Sequence, residues 1–172
     1  STGLFIHDGL HGSLAIGRAA NRWATFCAGL PLLISGTAYR VTHTWHHLDL
    51  GRPRDFGTYQ QHTRRASVVW LCYFAQLLAG SFIYIAAIPL LSLRLADNKI
   101  RQRIVLEYTL IAIVAAACLC LFPIKVILWY WLAPMLVMNA LPNIRGLAAH
   151  GLPETRAPFL ASRAVRTSRH VA

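Results

Sequence analysis

The chain has 172 residues, enough for one domain, and is 56% hydrophobic but only 13% charged. Soluble domains carry about 25% charged residues, so a chain with a mean hydropathy of +0.46 cannot coat a globule with charge, and a bilayer is its expected solvent. The net charge of +11 does not mark a nucleic-acid binder, because the arginines lie between apolar runs and no aromatic-plus-glycine RNA-binding signature is present.

The opening STGLFI has no methionine and no basic n-region. It is therefore not a signal peptide, and it reads as the end of an apolar helix begun upstream. HDGLH follows at 7–11. Residues 21–39 are apolar but interrupted by Gly29, Pro31 and Gly36, which predicts an interfacial or re-entrant segment rather than a clean span. HTWHH occupies 43–47. Residues 68–93 contain no charge and are long enough to cross a hydrocarbon core. Residues 104–122 form a third apolar run, with Glu107 near its start, and FPIK at 122–125 is a short break. Residues 126–141 form a fourth run, ending at Pro142 and Asn143. The segment 151–172 is basic and contains proline; it is expected to be a polar cytoplasmic tail. The cysteines, Cys27, Cys72, Cys118 and Cys120, all lie in apolar stretches with no CxxC. They are expected to be small buried side chains rather than a disulfide framework.

Charge sets the expected orientation. Arg52, Arg54, Arg64 and Arg65 precede the 68–93 run, and Arg94, Lys99, Arg101 and Arg103 follow it. Arg145, Arg156, Arg163, Arg166 and Arg169 follow the last run, whereas the FPIK break holds only Lys125. If all three basic groups are cytoplasmic, 104–122 and 126–141 form a hairpin with its tip at FPIK. The 68–93 run must then enter and leave on one side, with a bend at Gly80-Ser81 or Pro89. A straight span would put 94–103 outside, against the charge rule. The expected class is all-α integral membrane, with a helical hairpin, interfacial or re-entrant helices and a metal site on the cytoplasmic side.

The sequence has eight histidines. His7 and His11 are four apart, as are His43 and His47, with His46 three from His43. On helices each set shares one face, so each can aim imidazoles at a common point. Neutral imidazole is the commonest metal-ligating side chain. Five clustered histidines exceed one tetrahedral zinc, and no H-E-x-x-H is present. An all-nitrogen site with open positions suits redox-active iron, with copper also open. Asp8, Asp49 and Asp55 lie beside the clusters and are candidates to receive the second N–H of a ligating histidine. Solvated loop carboxylates are the alternative for all three. His62 and His170 stand alone and read as ordinary polar residues. Tyr39 and Tyr59 flank HTWHH and Trp45 lies within it, as aromatic anchors at a membrane interface or as the lining of a substrate groove.

HDGLHGSL, followed about 36 residues later by HTWHHLDLGRPRDFG, resembles the first two histidine boxes of the membrane fatty acid desaturases, whose superfamily includes carotenoid ketolases and hydroxylases. NIRGLAAHG at 143–151 is similar to the segment after the family's last membrane helices. There the resemblance implies that His150 is a further metal ligand. Asp55 falls where the family usually carries an aspartate. The family's third box, another H-x2-H-H, does not occur before Ala172, and His170 does not supply it. The whole of 1–172 is therefore expected to be part of a desaturase-like membrane domain, cut at both ends.

The resemblance implies two iron ions, held in part by His7, His11, His43, His46, His47 and His150. They would be reduced by an external electron donor such as ferredoxin or cytochrome b5. It implies O2-dependent removal of two hydrogens from a fatty acyl chain in the bilayer, with the site facing the cytoplasm. The basic face is then expected to attract an acidic electron carrier or anionic lipid headgroups. Two other readings stay open: a carotenoid ketolase or hydroxylase on the same scaffold, and a non-catalytic metal-binding membrane protein. The last predicts ionisable residues along a spanning path, whereas these histidines sit at segment ends.

Overall fold

The structure is a computed structural model that describes residues 2–49, 59, 62–136 and 144. His150, Asp55, residues 137–141 of the last apolar run and the 151–172 tail lie outside the described residues, as do Arg52, Arg54 and the arginines from 145 onward. Among the described residues the secondary structure is entirely helical: α1 (Thr2–Leu10), α2 (Arg18–Gly29), a 3-10 turn (Leu30–Leu32), α3 (Gly36–Leu48), α4 (Ala66–Leu95), α5 (Asn98–Leu121) and α6 (Ile124–Ile127).

The interruptions expected in 21–39 mark the α2–α3 junction. α2 buries Asn21, Thr25, Phe26 and Gly29, a spacing that lays them on one face. Its axis ends at Gly29, because Pro31 sits in the following 3-10 turn and Leu33 closes that turn with φ 55°. Ser35 then caps α3, its hydroxyl accepting the Ala38 N–H at 3.0 Å. Capping of this kind satisfies one of the amides that a helix start leaves without an intrahelical partner.

The long run becomes α4, and it bends where the sequence places Gly80-Ser81: Ala66–Gly80 and Phe82–Leu95 lie at 99° to each other. A tight corner follows. Asp97 caps α5 by accepting the Ile100 N–H at 2.8 Å. Arg101 donates to the Leu93 and Ala96 carbonyls at 3.2 and 3.3 Å, tying down the end of α4. α5 has 24 residues, about 36 Å at 1.5 Å per residue, and it is the one described helix that is by itself long and apolar enough to cross a membrane. It buries only Ile104 and Ile111, while Leu106, Ile113, Leu119 and Leu121 are exposed. The break after α5 is shorter than FPIK. Helix resumes at Ile124 because Pro123 occupies the capping position, where its missing N–H costs nothing. α6 runs on through a π-helical turn, Leu128–Leu132, whose Trp131 Nε1 donates to the Pro31 carbonyl at 2.5 Å.

The core lies where α3 sits in the corner between α4 and α5. Ile34, Ala38, Ile88, Ala96 and Ile104 are buried together, with Tyr39, Ile85 and Leu93 packed around them. The cysteines correct one expectation. All four are free, but Cys27, Cys118 and Cys120 are exposed.

Candidate metal centre

Three helices bring the two histidine boxes to one place. His7 lies in the last turn of α1, and His11 follows directly after it, before a turn at Gly12 with φ +80°. His43, His46 and His47 lie on α3. The buried Thr25 of α2 wedges between the two: a Cβ on Gly9 of α1 would lie 2.1 Å from Thr25 Oγ1, and one on Gly36 of α3 would lie 2.9 Å from Thr25 Cγ2. Glycine at both positions lets α1 and α3 close onto α2, so residues about 36 positions apart meet.

One ligand nitrogen from each of His7, His11 and His43 falls within 4.8 Å of the others. The His7 ring lies 4.7 Å from that of His11 and 5.0 Å from that of His43, centroid to centroid. His47 joins through His43, their rings 4.4 Å apart and their Nε2 atoms 3.0 Å apart. Nitrogens bound to one metal ion at about 2.1 Å are themselves about 3–4 Å apart, a spacing that the 3.0 Å His43–His47 pair meets and that the group of three within 4.8 Å approaches. His46 is at the edge, its ring 5.7 Å from that of His47.

The electrostatics favour a neutral His43. Burial, and then the neighbouring imidazoles His47, His7, His11 and His46, push His43 down to about 3. It therefore keeps its lone pair free near neutral pH. Tyr39, a turn earlier, packs its ring 5.5 Å from His43, and burial raises its phenol. Among the candidate carboxylates, Asp8 Oδ1 lies 3.7 Å from His7 Nδ1, close enough to bias that ring but beyond hydrogen-bond distance. Asp49 ends α3, its N–H on the Trp45 carbonyl. His62 is exposed on the turn after Tyr59, and Tyr59 packs on Tyr73 at 4.9 Å.

The residues that hold the centre together were not singled out by their sequence pattern as site residues. Glu107 of α5 accepts the Ser35 hydroxyl at 2.6 Å and the Thr37 N–H at 3.0 Å on one oxygen, and the Thr37 hydroxyl at 2.5 Å on the other. A carboxylate at a helix N-terminus is favoured by the exposed amides and the dipole there. This one fixes the start of the helix that carries the second box. Its sequence signal was a lone acid in an apolar run. Arg40 precedes His43 by three residues and reaches across to α1. An open cleft of about 360 Å³ begins at Gly12, next to His11, and is lined by Arg18, Arg22, Arg40 and Asn21.

The fatty acid desaturase family model matches the chain over residues 1–172. No curated protein and no solved structure matches it. The family match covers the same chain in which HDGLH and HTWHH converge, and on that ground the protein belongs to the fatty acid desaturase family.

Proposed function

We propose that the protein is an O2-dependent membrane oxidoreductase that introduces a double bond into a fatty acyl chain. A di-iron centre would be held by His7, His11, His43, His46, His47 and His150, at the cytoplasmic edge of the bilayer. The observation that carries this reading is the gathering of His7, His11 and His43 within 4.8 Å in a chain of this family. Bound iron supplies the O2 activation and hydrogen removal that side chains cannot perform alone. Overall, the acyl chain loses two hydrogens and O2 becomes two waters, with two electrons drawn from an external carrier such as ferredoxin or cytochrome b5 and two protons from solvent.

The chain's own residues do the holding and the shielding. His43, kept neutral by burial and its neighbours, presents a lone pair without first losing a proton. Glu107, Ser35 and Thr37 set the register of α3. The apolar outer faces of α4 and α5 suit contact with lipid tails, and the arginines of the cleft suit an acidic electron carrier or anionic headgroups. Asp8, Asp49 and Asp55 are proposed to steady the ring tautomers.

Expressing the gene in membranes with a reducing system, supplying fatty acyl lipids and carotenoids in parallel, and analysing the extracts for new bonds tests the reading. A new C=C in the acyl lipids, lost in His43→Ala, is the expected outcome. A new C=O or C–OH on the carotenoid alone would replace it with the ketolase or hydroxylase reading. Product formation that survives His43→Ala would overturn the metal centre.

A further inference from the structure

Gly9 lies between His7 and His11, and its carbonyl oxygen is where the three helices of the site are tied. It accepts Asn21 Nδ2 from α2 at 2.7 Å and an Arg40 guanidinium N–H from α3 at 2.9 Å, as well as the Gly12 N–H at 3.2 Å. The last carbonyls of a helix have no intrahelical partner, so an oxygen here is open to side chains. The Arg40 bond is charge-assisted and the stronger kind. Asn21 is 4% exposed, and its amide is engaged at both ends. Its Oδ1 accepts the Leu14 and Ala15 N–H groups at 3.0 and 3.2 Å, which holds the segment just after His11. Arg40 lies one turn before His43 on the same helix, so its bond to Gly9 directly links the backbone of one box to the helix of the other.

We propose that Asn21 and Arg40 act as a latch on the Gly9 carbonyl and set the spacing between the two histidine boxes. On the metal-centre reading above, on which this inference rests, both are positioning residues and neither is a ligand. Metal–ligand distances hold to about ±0.2 Å, so a slip of one box past the other is felt at the metal before it is felt in the helices.

The test is cobalt(II) titration of the full chain in detergent micelles, in competition with a chelator. It is read by the d–d absorption of the bound ion, with far-UV circular dichroism melting alongside. Asn21→Asp keeps the shape and the acceptor for Leu14 and Ala15 but turns an oxygen toward the Gly9 carbonyl in place of the donor. Arg40→Met keeps most of the stem and removes the donor, and Arg40→Lys restores a cation. Asn21→Asp and Arg40→Met are expected to weaken cobalt binding by about 10- to 100-fold, the range for partners that orient ligands, and to shift the d–d bands while the melting midpoint stays near wild type. Arg40→Lys recovers part of the affinity. Wild-type affinity in both variants overturns the latch, and so does a loss that merely follows loss of helix signal. If Asn21→Asp does not fold, the Arg40→Met and Arg40→Lys pair decides alone. A wild-type chain that binds no cobalt, or binds it equally after His43→Asn, sinks the metal-centre reading and the latch with it. Sound wild-type binding with unaffected variants sinks only the latch.

Discussion

Replacing Glu107 by leucine removes the acceptor of three hydrogen bonds at the start of α3. Bonds to a charged group contribute about 1.5–3 kcal/mol each, and a buried donor left without a partner costs about 1–3 kcal/mol. Ser35 is fully buried, so water cannot take over its hydroxyl. The three bonds share one acceptor and do not add, and the carboxylate regains hydration when the chain unfolds. A net loss of about 3–5 kcal/mol is expected for Glu107→Leu, and about 1–2 kcal/mol for Glu107→Gln, which keeps one acceptor and the shape. Equilibrium unfolding in detergent, followed by circular dichroism, measures both. Repeating Glu107→Leu in a Ser35→Ala/Thr37→Val background completes a double-mutant cycle, and there the penalty shrinks to about 1 kcal/mol, since only the Thr37 amide is still orphaned. An equal penalty in both backgrounds would refute the account. So would a leucine variant as stable as wild type, which would mean that burying the carboxylate costs as much as its bonds return.

Gly9→Ala places a methyl 2.1 Å from Thr25 Oγ1 and is expected to cost about 1–3 kcal/mol by overpacking. A Thr25→Ala change should recover part of that loss, and failure to recover any would place the damage elsewhere. For the metal-free chain, His43 stands at about 3 against an ordinary 6.5, so between those values the unfolded state binds a proton that the folded state does not. Stability is then complete above about pH 6.5 and is lost as the pH falls toward about 3, by at most ~1.4 kcal/mol per pH unit. Melting midpoints across that range should fall, and His43→Gln should flatten the slope; an unchanged slope would contradict it.

Much of the fold was legible before any tertiary contact was known, because the signals are local. Uncharged runs, proline and glycine punctuation and the i, i+4 histidine pairs depend only on the backbone periods and on what a helix interior tolerates. They placed the α2–α3 junction, the bend at Gly80-Ser81 and the faces shared by the imidazoles. Burial was less legible: hydrophobicity put the cysteines inside, yet three of the four are exposed, because apolar character does not say which face of a helix packs against its neighbours.

The sequence by itself determined which side chains were available for a metal, and on which helical stripes. The tertiary structure decided that the stripes meet, since helical periodicity orients residues within an element and is silent about where that element lies. That meeting depends on Thr25 between two glycines, on the Gly9 carbonyl shared by Asn21 and Arg40, and on Glu107 at the foot of α3. Each is an ordinary residue whose role appears only when chain segments distant in sequence pack within hydrogen-bonding or van der Waals reach.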